Sequence, residues 1–143
     1  MPMASKGQCL CGSVKFTLQL LQSAVHVCHC GMCRKWGAGG PAITADCTNV
    51  AFDVDEGLAW YDSSEWAQRG FCQRCGSSLF YRMKDESVTY MNVSVAVLER
   101  SDDIVIQDHI YVDHKPPYYD FADNCPRLTE KETLEKFEKE LSQ

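Results

Sequence analysis

Seven of the nine cysteines fall into three tight groups: Cys9-x-Cys11, Cys28-x-Cys30-x-x-Cys33 and Cys72-x-x-Cys75. Sulfurs at such spacings hold soft divalent metals. Four thiolates close a tetrahedral site, whereas three leave one coordination position for an outside ligand. The remainder of three points towards chemistry as well as scaffolding. Cys72-Gln73-Arg74-Cys75-Gly76 has the form of a zinc knuckle, with Gly76 permitting the tight turn that aims backbone amides at sulfur. Cys9-Leu10-Cys11-Gly12 is its natural partner, and a shared zinc would tie the first strand to the middle of the sheet. Its binding free energy, on the order of 10 kcal/mol, would contribute directly to folding.

Cys28-His29-Cys30-Gly31-Met32-Cys33 supplies the other three sulfurs within six residues. An open zinc site is the leading reading. There, an incoming thiol would be held as thiolate, or an aldehyde oxygen polarised. Four other arrangements stay open at this level. His29 or His26 could close the site as a fourth ligand, and Cys47 or Cys125 could complete an iron–sulfur cluster. A redox Cys-x-x-Cys is the fourth, although it leaves one sulfur unexplained. Cys47 and Cys125 otherwise read as small buried hydrophobes. His109 and His114, beside strand and loop aromatics, read as ordinary polar residues.

The elements that must position these groups are mostly strands. Val14, Phe16 and Leu18 alternate with Lys15, Thr17 and Gln19, the pattern of a half-buried strand. Met91, Val93, Val95 and Val97 predict one strand face between Val88 and Glu99. Ile104, Ile106, Ile110 and Val112 mark another strand, whose apolar face Asp108 interrupts. Shorter strands are expected at Pro41–Ala45, Val50–Val54, Ala67–Phe71 and Leu79–Arg82. Thr129 with Glu132 forms a capping box for a C-terminal helix, about 129–141, whose apolar face carries Leu134, Phe137 and Leu141. Between Pro116-Pro117 and Pro126 lies an irregular aromatic-rich loop. The expectation is one mainly β domain of antiparallel strands over residues 1–143, closed by one helix.

Composition narrows the function classes. The formal charge is −6, and seven thiolates on two zincs would add about three more negative charges. Such a body is a poor binder of nucleic acid, which needs a basic surface. No apolar run approaches a membrane span. The N-terminal residues lack the apolar core of a secretion signal, so the expected location is cytoplasmic. In that reducing compartment clustered cysteines are metal ligands or redox groups more often than disulfides.

Three segments together resemble the glutathione-dependent formaldehyde-activating enzyme family, the β-tent zinc proteins related to centromere protein V. They are Gly7-Gln8-Cys9-Leu10-Cys11-Gly12-Ser13-Val14, Cys28-His29-Cys30-Gly31-Met32-Cys33-Arg34-Lys35-Trp36 and Arg69-Gly70-Phe71-Cys72-Gln73-Arg74-Cys75-Gly76-Ser77. The resemblance covers about residues 5 to 125. It implies a β-tent fold with two zincs: a structural one at Cys9, Cys11, Cys72 and Cys75, and a catalytic one at Cys28, Cys30 and Cys33. The implied activity is carbon–sulfur lyase chemistry that joins formaldehyde to glutathione as S-hydroxymethylglutathione, or the reverse. Arg34, Lys35 and Arg69 are then candidates to bind the carboxylates of glutathione, and Trp36, Trp60 and Trp66 could wall the site. The family also includes non-catalytic members. A zinc-stabilised protein-interaction module, or activity on another glutathione conjugate, is therefore the alternative reading.

Overall fold

Period-two alternation of apolar residues governs most of the chain, and strands form where it runs. The computed structural model describes residues 3–142. Its elements are β1 (Met3–Gln8), β2 (Lys15–Leu20), β3 (Ala24–Cys28), α1 (Gly31–Trp36), β4 (Ala42–Val54), β5 (Leu58–Asp62), β6 (Ala67–Cys72), β7 (Ser78–Met83), β8 (Met91–Ser94), β9 (Val105–Ile110) and α2 (Glu130–Leu141). The chain is mainly β with a C-terminal helix, as the sequence predicts. It divides into two compact units, each assembled from two chain segments: residues 1–23 with 44–104, and residues 24–43 with 105–143.

The first unit is an antiparallel sheet in the order β1-β2-β4-β8-β7-β6-β5. Phe16, Phe52 and Phe80, from β2, β4 and β7, meet edge to face with centroids 4.9 to 6.2 Å apart. Val14, Leu18, Leu20, Leu79 and Val93 are buried with them. Each such side chain stabilises the fold by roughly 1.5–3 kcal/mol relative to exposure. The two short strands expected at 41–45 and 50–54 are one long strand, β4. Asn49 within it has φ +54, and the β2–β4 register shifts nearby, between Thr17 and Gln19. The strand expected to run to Val97 ends sooner. Pairing of β8 with β4 stops at Ser94↔Thr44, and without a ladder partner Val95–Val97 winds into a 3-10 turn. That turn delivers Leu98, which is buried, to a bridge with Gly7.

The second unit rests on a parallel pair, β3 with β9, within a fold that is mainly antiparallel. Neither β3 nor the short helix α1 has enough apolar periodicity to be read in advance. The segment at 126–128 runs beside β9, through bonds from His109 N–H to Pro126 O (2.8 Å) and from Leu128 N–H to His109 O (2.9 Å). Asp108, the residue that breaks the apolar face of β9, is 2 % exposed. Its carboxylate accepts from His26 Nδ1 at 2.6 Å and from Lys136 Nζ at 3.0 Å, which holds α2 to this unit. The capping box of α2 is present: Thr129 Oγ1 accepts from Glu132 N–H, and Glu132 Oε1 accepts from Thr129 N–H. Among the described residues no helix is long and apolar enough to cross a membrane.

Candidate functional site

In the first unit the sulfurs of Cys9, Cys11, Cys72 and Cys75 all lie within 4.8 Å of one another and could hold one metal ion. The Cys9–Cys11 and Cys11–Cys72 sulfurs are each 3.7 Å apart, far beyond disulfide length. Both knuckles sit on turns. Gly76 adopts φ +82, a conformation open to glycine and strained for other residues, and its N–H bonds to Cys72 O. A Cβ on Gly57 would stand 2.8 Å from Cys72 Sγ, so the loop before β5 packs directly on the cluster. Several sulfurs meet donors. Val14 N–H points at Cys9 Sγ (3.3 Å), and the Ser77 hydroxyl lies 3.2 Å from Cys75 Sγ. The Ser77 hydroxyl and backbone hold the Cys75 thiol down at about 5, and Ser13 lowers Cys11 likewise. Burial pushes Cys72 the other way.

In the second unit Cys28, Cys30 and Cys33 bring three sulfurs within 4.8 Å of one another. Cys28 ends β3 and Cys33 lies in α1. Cys30 caps that helix, its sulfur accepting from Cys33 N–H at 3.3 Å. No fourth His, Cys, Asp or Glu among the described residues joins the cluster. His26 Nδ1 is taken by Asp108, and both ring nitrogens of His29 are bonded elsewhere. Cys47 is fully buried in β4 and Cys125 donates its S–H to Ile106 O, so neither completes an iron–sulfur set. Crowding by the Cys30 and Cys33 thiols, followed by burial, pushes Cys28 strongly upward. Without a cation Cys28 resists ionising.

From His29, between Cys28 and Cys30 in sequence, runs a chain of hydrogen bonds that the sequence did not disclose. Tyr119 Oη lies 2.8 Å from His29 Nδ1, and His29 Nε2 lies 2.9 Å from His109 Nδ1. His109 Nε2 meets both oxygens of Asp123 at 3.0 Å. His29 and His109 are each 1 % exposed, stack with centroids 5.1 Å apart, and present ring edges to Phe121. His109 is thus no ordinary surface polar residue. His29 is pushed down to about 4, first by burial and then by the charge of His109. Burial works against the Asp123 carboxylate, but bonds from His109 and Cys125 outweigh it and hold Asp123 at about 2. A cavity of about 60 Å³ opens beside the imidazoles, lined in part by Lys115 and Arg127, with none of the sulfurs in its wall.

The remaining candidates are dispersed. Arg34 and Lys35 lie in α1, with Arg34 Nε donating to His29 O at 3.3 Å, and Trp36 ends the same helix. Arg69 belongs to the first unit, where it is buried with its guanidinium 5.1 Å from the Tyr81 ring centre. Trp60 stacks on Phe80 and carries Arg82 over its face at 3.5 Å, which makes it a packing residue of β5. Trp66 is about half exposed.

Comparisons with known proteins bear on both clusters. The family profile described as glutathione-dependent formaldehyde-activating enzyme matches residues 4–114, which include all seven clustered cysteines. The chain is 27% identical over 135 residues to an uncharacterized lyase of Schizosaccharomyces pombe, a match covering 94% of this chain and 97% of that one. It also resembles the crystal structure of a Rhodobacter sphaeroides protein, a structural-genomics target, with TM-score 0.55 and 26% identity. That match covers 71% of this chain and 98% of the other.

Proposed function

Because the chain belongs to the glutathione-dependent formaldehyde-activating enzyme family, we propose that it is a zinc-dependent carbon–sulfur lyase. It would form or cleave the S-hydroxymethyl adduct of glutathione or a similar small thiol. The lyase name carried by the Schizosaccharomyces pombe relative agrees with that class. The observation that carries the reading is the division of seven sulfurs into a closed set of four and an open set of three.

Both sets fit zinc. At a metal–sulfur distance of about 2.3 Å, sulfurs at the corners of a tetrahedron stand about 3.8 Å apart, and the two measured separations in the four-sulfur set are 3.7 Å. Cys9, Cys11, Cys72 and Cys75 would hold the structural ion. Cys28, Cys30 and Cys33 would hold the catalytic one, since Cys30 and Cys33 crowd Cys28 and oppose its ionisation, which a divalent cation would relieve. A zinc ion there keeps one position for an outside ligand, favours the ionised form of an incoming thiol and polarises a carbonyl oxygen.

In the forward direction the thiol sulfur supplies the electron pair for the new carbon–sulfur bond. The carbonyl pair moves to oxygen, and that oxygen takes up the proton the thiol lost. No oxidant or reductant is required. Arg34 and Lys35, both in α1, would meet carboxylates of a peptide thiol. Arg69, being buried, would serve such a role only by way of its position in β6. Nine cysteines without a disulfide suit a reducing, cytoplasmic setting, and neither nucleic acid nor a membrane is needed as a partner.

Cobalt substitution tests this reading. Two metals per chain are expected, and glutathione should add thiolate-to-cobalt absorption at one of them. Formaldehyde–glutathione exchange, followed by NMR exchange spectroscopy, should run faster than the uncatalysed reaction. A spectrum indifferent to saturating glutathione, with no rate enhancement, would instead indicate a zinc-stabilised interaction module.

A further inference from the structure

The loop between β9 and α2 holds a lysine that has been fixed in place without a counter-ion. Lys115 is half-buried, and its Nζ donates to Pro116 O at 3.0 Å and to Tyr119 O, 5.3 Å from the Tyr119 ring centre. An ammonium carries three hydrogens, so one is left over. Among the described residues no carboxylate comes within ion-pair distance of it. Arg127 is fixed in the same way. Its Nη1 donates to Cys125 O at 2.9 Å and its Nη2 to Phe121 O at 3.1 Å, while Asp123 Oδ2 stands off at 3.7 Å. Asp123 is itself engaged by His109 and by Cys125 N–H. Both cations border the cavity of about 60 Å³ beside the imidazoles, where Phe121 and Val112 form apolar walls. That space admits several water-sized spheres, which is room for a carboxylate on a short stem. Because backbone carbonyls already hold both side chains, little rotamer freedom remains to be lost on binding.

We propose that this cavity is a carboxylate-binding site, in which Lys115 and Arg127 grip the acid group of a small organic ligand while Phe121 and Val112 contact its stem. A planar carboxylate matches the guanidinium fork, and apolar walls suit a carbon-bearing acid better than a hydrated inorganic anion. Asp120 also borders the cavity, exposed and accepting from Phe121 N–H. Its charge opposes an anion and keeps the affinity modest. None of the clustered sulfurs lines the wall, so the site needs no metal to form. Its acid group has two compatible sources. One is a free acid such as formate or acetate; the other is a carboxylate of the thiol substrate, since His29 borders the cavity and lies between Cys28 and Cys30 in the chain. The second source rests on the lyase reading, whereas the site does not.

Titration of the zinc-loaded, ¹⁵N-labelled full-length protein with sodium acetate and sodium formate, at ionic strength held constant with chloride, tests the site. The amides of Lys115, Phe121 and Arg127 should shift and saturate, with a dissociation constant on the order of 1–10 mM. Lys115→Met should weaken acetate by about tenfold. Lys131→Met, which removes an exposed charge of the same sign from α2, should leave it unchanged. Asp120→Asn keeps an acceptor for Phe121 N–H and should tighten acetate by about threefold. Shifts that never saturate overturn the site, as do shifts confined to residues 28–36, the mark of acetate bound at the metal. An affinity indifferent to Lys115→Met also overturns it; if that variant does not fold, an affinity indifferent to Asp120→Asn does so in its place. Cobalt titration with glutathione then separates the two sources. Competition by acetate assigns the site to the substrate's own carboxylate, and simultaneous binding assigns it to a free acid. A cobalt spectrum indifferent to glutathione removes the lyase reading and leaves the acetate result standing.

Discussion

The two sulfur clusters offer the same candidate ligand atom from different chain geometries. In the first unit the four sulfurs come from two turns 61 residues apart, and Cys11 and Cys72 sit 3.7 Å from each other across that span. A metal there would cross-link distant chain and, bound by the folded state alone, add its binding free energy to folding. In the second unit all three sulfurs come from six consecutive residues, so a metal would close only a small loop and add little to the fold. The electrostatics diverge too. Hydroxyl and backbone donors hold Cys75 at about 5 and lower Cys11, whereas the neighbours of Cys28 push it upward. Two sulfurs of the four-cysteine set are held toward the anion, with burial opposing this at Cys72, whereas Cys28 of the trio is held toward the thiol. The contrast teaches that coordination number alone does not separate scaffold from chemistry, because the chain segments bridged and the donors around each sulfur do so as well.

The sharpest break of this comparison is Cys72→Ser. It should remove the cross-link and, with a loss on the order of 10 kcal/mol, abolish cooperative unfolding of the chain by circular dichroism. Cys30→Ser should lower bound zinc from two to one per chain and eliminate adduct exchange, while far-UV dichroism and the main thermal transition persist. Equal loss of fold in both variants would erase the proposed division of labour.

Acidification should distinguish the sites next. A thiol with a lowered pKa stays thiolate to lower pH, and one with a raised pKa gives up its metal sooner. Zinc release followed with a chromophoric chelator should then be biphasic, the three-cysteine ion leaving at the higher pH. Release in a single phase would contradict the contrast.

The smallest expected effect concerns what holds α2. Burial works against the Asp108 carboxylate, but His26 and Lys136 outweigh it and keep its pKa below the ordinary value. A carboxyl lowered on folding stabilises the fold above its unfolded pKa and loses that contribution as pH falls through the folded value. Asp108→Asn should cost about 2–4 kcal/mol near neutrality. The difference from wild type in denaturant melts should shrink as pH drops below about 4. A pH-independent difference would assign the cost to packing rather than charge.

The fold was legible where information is local. The alternation from Val14 to Leu18, the capping box at Thr129 and the turn at Gly76 each depend on neighbours a few residues away, and each is present as read. The parallel pairing of β3 with β9 was not legible. Each strand is short, and its partner lies about 80 residues away. The end of β8 at Ser94 was missed for a related reason: Val95 and Val97 continue the alternation, but the pairing with β4 stops at Ser94↔Thr44.

At the site, the cysteines announced themselves because coordination demands close spacing and a rare residue type, which a sequence displays directly. The sequence by itself therefore determined the inventory of candidate ligands, its division into four and three, and the resemblance that placed the chain in its family. Only the tertiary structure decided which groups His29 meets. His29, His109, Tyr119 and Asp123 belong to no periodic pattern, and bonded partners among them lie up to 90 residues apart. Hydrogen bonds between buried side chains are set by where strands and loops meet in space, and such meetings leave no mark on the residues' own neighbours.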